Sequence, residues 1–276
     1  MGRRIGLVDY KLENFHANVY LKAYRNQLKD RGWTVAGCYA LDEQNGRAWA
    51  AHNDVAWCKT PEALNEQADC YMILAPANPE LHLKLCEQFF PFGKTTYVDK
   101  TFAPDTATAK RIFDLADQHK TAIQTTSALR YTSVQAYAKQ SPPKHMITWG
   151  GGSSFEEYAI HPLELLISCM GPEAQSVMRR GTGDFSQLLV TFGQGRTGVA
   201  NVCIKGETPF AASVTNDHGT KFITVDTSKI FVDTAAAVLD LFESGKPNID
   251  RRESLAIRRI LDAATEPAAL KGFVAL

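Results

Sequence analysis

Cys70-Tyr71-Met72-Ile73-Leu74-Ala75-Pro76-Ala77-Asn78-Pro79-Glu80-Leu81-His82 is the stretch on which the fold turns. Residues 70–75 form an unbroken apolar run, bounded by proline and too short for a helix of its own. Such a run reads as a strand buried on both faces. Pro76 and Pro79 end it, with Asn78 as a turn residue between them, and Glu80–Gln88 then reads as a helix. The same strand–turn–helix phrase repeats on both sides. Upstream, strands are expected at Ile5–Val8, Thr34–Tyr39 and Val55–Cys58. They alternate with a helix capped by Asn14 and running to about Lys29, one near Gly46–His52, and one over Glu62–Gln67. Gly32 serves as a helix stop. Downstream come Thr95–Val98, Thr106–His119 and Ala122–Thr125. Repeated β-α units of this length predict an α/β fold, a doubly wound parallel sheet of Rossmann type, over residues 1–126.

The pattern changes at Ser127. A helix near Ser133–Lys139 leads into Ser141-Pro142-Pro143, a loop signal. Strand-like runs follow at His145–Trp149, Leu188–Phe192, Thr197–Ile204, Phe210–Thr215 and Lys221–Asp226. Short turns such as Gly193-Gln194-Gly195 and Asp217-His218-Gly219 suit antiparallel hairpins. Helices are expected at Leu163–Met170, Ala235–Phe242 and Arg252–Ala264. Residues 127–276 therefore read as a second, α+β domain with a mostly antiparallel sheet. Gly150-Gly151-Gly152 reads as a flexible connection, since no P-loop lysine follows it.

Composition narrows the function. The chain has 276 residues, 45% hydrophobic and 22% charged, which excludes disorder, collagen and coiled coil as readings of the whole. Lys+Arg and Asp+Glu are both 30, and a net charge of zero argues against a nucleic-acid partner. The six cysteines contain no C-x-x-C pair, so zinc ribbons and disulfide scaffolds are not expected, nor is any other metal site. MGRRIGLVDYKLENFHA lacks the apolar core of a signal peptide. Gly6 stands where myristoylation after Gly2 needs Ser or Thr, and no run approaches the length of a membrane span. These features predict a cytoplasmic protein without a membrane partner.

Open α/β sheets bind ligands at the carboxyl ends of their strands. There the chain carries "PANPELH" after strand four, "VDKTFA" (97–103 being Tyr-Val-Asp-Lys-Thr-Phe-Ala) after strand five, and "SALRY" after strand six. The second half carries "EYAIH" at Glu157–His161. Together, in this order, these segments resemble the Gfo/Idh/MocA oxidoreductases over nearly the whole chain. The resemblance implies a Rossmann domain followed by an open-faced sheet domain. It implies NAD or NADP as cofactor and a sugar, polyol or related substrate whose secondary alcohol or ketone exchanges hydride with nicotinamide. It also implies a homo-oligomer formed through the second sheet.

Site residues follow from the same match. Lys100, at the end of a buried strand, could polarise a substrate oxygen and stabilise an alkoxide. Asp99 and Thr101 stand where the family carries glutamate and proline. His161 is the candidate proton exchanger, because an imidazole titrates near neutrality. Pro162 at the first helical position would make His161 the cap residue with an extended backbone, which denies Glu157 and His161 an i,i+4 relation. Glu157 would orient His161 or hold a substrate hydroxyl. Glu164 would complete a capping box. Pro76, Asn78 and His82, like Asp99 and Lys100, are expected to border the cofactor, and Arg130 and Tyr131 the substrate.

The first turn departs from the pattern. A dinucleotide turn wants G-x-G-x-x-G; the chain reads Gly6-Leu7-Val8-Asp9-Tyr10-Lys11-Leu12-Glu13-Asn14. Asp9 and Glu13 bring negative charge toward a pyrophosphate. Lys11 and a helix N-terminus at Asn14 partly compensate, and Asp42, after strand two, is a ribose-ligand candidate. Besides the dehydrogenase reading, two others stay open. One is a non-catalytic Rossmann-type ligand-binding or regulatory protein with a decayed cofactor site. The other is a lyase or glycosidase holding NAD tightly as an internal redox agent.

Overall fold

In the computed structural model, residues 3–276 are described; the myristoylation reading concerns Gly2 and lies outside them. The first strand, β1 (Arg4–Asp9), is buried from Ile5 onward. The sheet it belongs to adds β2 (Thr34–Ala40), β3 (Ala56–Trp57), β4 (Cys70–Ile73), β5 (Thr96–Val98) and β6 (Ile123–Thr125). Their order is β3-β2-β1-β4-β5-β6, and every pairing is parallel. The order reverses between β1 and β4, which opens a crevice at their carboxyl ends. Helices α1 (Phe15–Arg25), α2 (Glu43–Asn53), α3 (Pro61–Gln67), α4 (His82–Phe89) and α5 (Thr106–Gln118) make the crossovers. Side-chain caps from Asn14, Asp42, Thr60 and Asp105 start four of them, each satisfying an amide the helix leaves open. The first helix stops at Arg25, short of the expected Lys29, and a 3-10 turn at Lys29–Arg31 precedes Gly32. Gly6 serves packing: a Cβ there would sit 2.9 Å from that of Ala68, so α3 approaches β1 only because the side chain is missing.

The chain divides into two units. The first joins the residues up to Thr126 with Phe231–Ile249; the second joins Ser127–Ile230 with Asp250–Leu276. The division falls between residues 126 and 127, and residues 231–249 pack in the first unit. The physical reason is burial. Ala235, Val238, Leu239, Leu241 and Phe242 enter the same core as Tyr20, Tyr24, Trp33 and Trp49, at about 1.5–3 kcal/mol for each large side chain. Trp33 stacks at 5.5 Å on Phe242 and donates its indole N–H to Glu243 at 3.0 Å. Arg31 pairs with Asp240 and Glu243.

The second unit contains α6 (Ser133–Ala138), β7 (His145–Gly151), α7 (Phe155–Tyr158), α8 (Ile160–Met170), β8 (Ala174–Arg180), β9 (Phe185–Phe192), β10 (Thr197–Cys203), β11 (Ala211–Asn216), β12 (Gly219–Thr224), α10 (Arg251–Thr265) and β13 (Val274–Ala275). The intervening helix, α9 (Ile230–Ser244), is the one described with the first unit. The sheet order is β12-β11-β7-β10-β9-β8-β13. Only β7 and β10 run parallel; the other pairs are antiparallel. One face is buried under α8, with Met146, Leu188, Val190, Ala200 and Val214 inaccessible or nearly so. The other face is open. Across it, Phe222, Ser213, Ile147, Val199, Leu189 and Met178 lie in register on six adjacent strands, all exposed or half-buried. Among the described residues no helix is long and apolar enough to cross a membrane.

Candidate active site

At the end of β1 the Asp9 carboxylate is 1% exposed. It accepts the backbone N–H of Tyr10 at 2.6 Å and of Lys11 at 3.2 Å on one oxygen, and the Asn14 amide at 2.9 Å on the other. The Ala75 N–H, at the end of β4, also donates to it. Burial pushes the carboxyl up to about 6, against the downward pull of these hydrogen bonds; desolvation favours the neutral acid. Asn14 also caps α1 by accepting the Ala17 N–H at 3.0 Å. Lys11 turns toward Asp42 at 3.7 Å, and Asp42 caps α2 through the Asn45 N–H. Asp9 was expected as a cofactor contact; its acceptors are engaged within the turn instead.

The loops after β4 and β5 are tied together. Ala75 adopts a positive φ of 44°, a left-handed conformation costing a non-glycine residue about 1–2 kcal/mol. The Lys100 ammonium, on a residue 5% exposed, donates to the Pro76 carbonyl at 3.3 Å. Asn78 donates to Glu80 at 2.9 Å within its own turn. His82 links the same two loops. It is fully buried, with Nδ1 3.0 Å from the Phe102 carbonyl and Nε2 2.6 Å from the Leu74 carbonyl. Both ring nitrogens therefore face backbone oxygens, and the ring braces the two loops. Asp99 lies just after β5. It is 1% exposed, pairs with His16, and accepts the Lys100 N–H at 2.8 Å and the Tyr97 hydroxyl at 3.2 Å. Burial opposes its ionisation, yet His16 and Lys100 together hold it below the usual carboxylate range. Asp99 thus anchors the backbone that carries Lys100.

In the second unit, α7 runs into α8 through Ala159, whose φ and ψ of −61° and −22° are helical. His161 is therefore inside a helix, not an extended cap, and Pro162 lies in its first turn. A proline is tolerated there because that N–H has no intrahelical partner in any case. The Pro162 carbonyl accepts the Thr148 hydroxyl at 2.9 Å. Glu157 and His161 are consequently four residues apart along nearly continuous helical backbone, contrary to expectation. Glu157 accepts the Ser153 hydroxyl at 3.4 Å.

The residue holding His161 is Ser127, which sequence reasoning missed. Its hydroxyl lies 2.7 Å from His161 Nδ1, and its oxygen accepts the Leu129 N–H at 3.2 Å. The His161 ring meets those of Tyr158 and Phe210 edge-on, each at 5.5 Å. Nδ1 is thereby directed at Ser127. Ser127 is itself fixed, since its N–H donates to Glu164 at 3.2 Å. Glu164 completes no capping box. It is 3% exposed and pairs with Arg130 at 3.2 Å, while Arg130 also meets Glu253 at 2.5 Å. Arg130, expected at the substrate, therefore has its guanidinium between two carboxylates inside the unit. Burial opposes its charge, but Glu164 and Glu253 outweigh that and raise its pKa. Tyr131 follows directly, half-buried.

The glycine run is structural rather than flexible. Gly150 and Gly151 end β7, and a Cβ at Gly150 would lie 2.9 Å from the Pro162 ring. A Cβ at Gly152 would lie 2.0 Å from the Tyr158 ring. Gly152→Ala is expected to displace that ring and lower stability by about 1–3 kcal/mol, read as a fall in Tm. Among the described residues no three His, Cys, Asp or Glu side chains gather as metal ligands.

Comparison with models of known protein families finds no match, and comparison with curated protein sequences finds none either. Solved structures do match. GenD2 from gentamicin A biosynthesis, in complex with NAD, superposes with a TM-score of 0.83 at 15% identity, covering 100% of this chain and 97% of that one. Apo scyllo-inositol dehydrogenase from Lactobacillus casei gives 0.82 at 12% identity, covering 99% and 97%. UDP-N-acetylglucosamine 3-dehydrogenase GnnA from Acidithiobacillus ferrooxidans gives 0.79 at 15% identity, covering 98% of each chain. The chain has the fold of Gfo/Idh/MocA-type dehydrogenases, a Rossmann unit plus a unit built on an open, mostly antiparallel sheet.

Proposed function

We propose that the protein is an NAD(P)-dependent oxidoreductase acting on a secondary alcohol or ketone of a sugar, polyol or related small molecule. The observation that carries this reading is His161, held at Nδ1 by a buried serine. A ring fixed in this way is arranged for proton transfer to or from a hydroxyl. Lys100 supports the reading, its ammonium at the strand ends where this fold binds ligands. A dinucleotide fits the crevice in part. The order reversal, Lys11 and Asp42 suit it, whereas the turn amides are engaged by Asp9. When bound, nicotinamide would supply or accept the hydride. The chain's own part is to polarise the substrate oxygen with Lys100, to exchange its proton at His161 Nε2, and to hold that ring with Ser127. Glu157, Asn78 and Tyr131 remain candidates for contacts with substrate or cofactor. A structural relative solved with NAD supports the cofactor class.

The engaged turn favours a second reading, a Rossmann-type ligand-binding or regulatory protein without turnover. One experiment separates the two. NADH and NADPH are titrated into the purified protein near pH 6, following nicotinamide fluorescence, after a check for cofactor carried through purification. A polyol and sugar screen then uses Lys100→Ala as control. The oxidoreductase reading expects saturable binding and turnover, with kcat in Lys100→Ala down by about 10²–10³-fold and dinucleotide affinity little changed. Absence of binding together with absence of carried cofactor would sink it and leave the binding-protein reading.

We also place the protein in the cytoplasm and assemble it as a homo-oligomer through the open sheet face. Supporting the latter, Phe222 and Phe185 are 60% and 61% exposed, and Phe222 packs on Trp149 at 5.6 Å.

A further inference from the structure

The β1–α1 turn holds an anion already, and it is part of the chain. In this fold the amides of that turn approach the diphosphate of a dinucleotide. Here the Tyr10 and Lys11 amides, the Asn14 side chain and the Ala75 amide all converge on the Asp9 carboxylate. Asp9 stands at the end of β1, beside the reversal of strand order, and is 1% exposed. Four donors on one buried carboxylate is the set of contacts an anionic ligand would need. A diphosphate arriving there meets both charge repulsion and donors already engaged.

We propose that Asp9 is an internal anion occupying the diphosphate donors of the turn, and that a dinucleotide binds in competition with it. This rests on the dinucleotide reading above and adds a control to the same site. A neutral Asp9 neither repels a diphosphate nor holds the amides as strongly, since hydrogen bonds to a charged acceptor are about twice as strong as neutral ones. Burial, which raises the Asp9 carboxyl to about 6, places the exchange in an accessible range. The direction follows: binding is strongest where Asp9 is protonated and weakens as pH rises through about 6. The charged neighbours are Lys11 on the turn, its partner Asp42 after β2, and His16 on α1 paired with Asp99 and Lys100 after β5.

The test is NADH binding by nicotinamide fluorescence at pH 6 and pH 8, in the wild type, Asp9→Asn and Asp9→Gly. NADH is chosen because it lacks the titrating 2′-phosphate of NADPH. Affinity scales with the competent fraction, so the wild type is expected to bind roughly fifty-fold more weakly at pH 8 than at pH 6. Both variants should bind more tightly than the wild type at pH 8, with little pH dependence in Asp9→Asn. Equal wild-type affinity at the two pH values, undiminished pH dependence in Asp9→Asn, or variants no tighter than wild type at pH 8 would each overturn the proposal. A silent wild type beside a binding Asp9→Gly would uphold the role of Asp9 and overturn the dehydrogenase reading of the native chain. Silence in all three forms would overturn both. Thermal melts verify folding, and the near-isosteric Asp9→Asn decides alone if Asp9→Gly does not fold.

Discussion

Replacing Arg130 with alanine is expected to cost about 3–5 kcal/mol of stability, the range for breaking a buried ion pair from one side. The side chains of Arg130, Glu164 and Glu253 are only 11%, 4% and 16% exposed, so water screens them little. Removing the guanidinium leaves the Glu164 and Glu253 carboxylates without the cation they share. The loss would be measured by urea unfolding at neutral pH. Arg130→Met combined with Glu164→Gln should recover part of it, because the uncompensated charge is what destabilises. A loss under 1 kcal/mol, as for an exposed pair, would show that the cluster is relaxed or hydrated in solution. Activity should fall as well, since Glu164 holds the Ser127 N–H and Ser127 holds His161.

His161→Ala is expected to lower kcat by about 10²–10⁴-fold, the usual contribution of a positioned acid–base group. NADH affinity should stay near that of the wild type. The effect on Tm should be small, because the ring is only half-buried. Ser127→Ala should cost less in rate, with Ser127→Thr restoring much of it. Turnover that survives His161→Ala would remove His161 from the proton path and direct attention to Lys100.

The Rossmann unit was legible because parallel strands covered on both faces read as continuous apolar runs. The burial of β4 at all four positions is the plain case. By contrast β8 went unread: its sequence, AQSVMRR, has one face open and two terminal arginines. The helical path through His161 was missed because the local rule before proline points to extended backbone. Contacts from Thr148 and the clearance at Gly150 overrode it. Ser127 and His16 carry no local signal, as their partners lie 34 and 83 residues away. The partners of His82, Asp99 and Arg130 likewise lie far along the chain or on the backbone, where no local pattern announces them. Amphipathic pattern likewise shows that a helix buries one face without saying which core receives it, as for α9, which packs in the first unit.

That helix also bears on how the protein is made. Residues 231–249 complete a core begun at residue 5, so the Rossmann unit stays unfinished on the ribosome while more than a hundred intervening residues are synthesised. Until then the surfaces around Tyr20 and Trp33 that receive Val238 and Phe242 are exposed to chaperones and to neighbouring nascent chains. The last segment of the second unit, from Asp250 onward, emerges only after this gap has been closed. Each unit therefore needs a segment made long after its first strand: residues 231–249 for one, and those from Asp250 for the other.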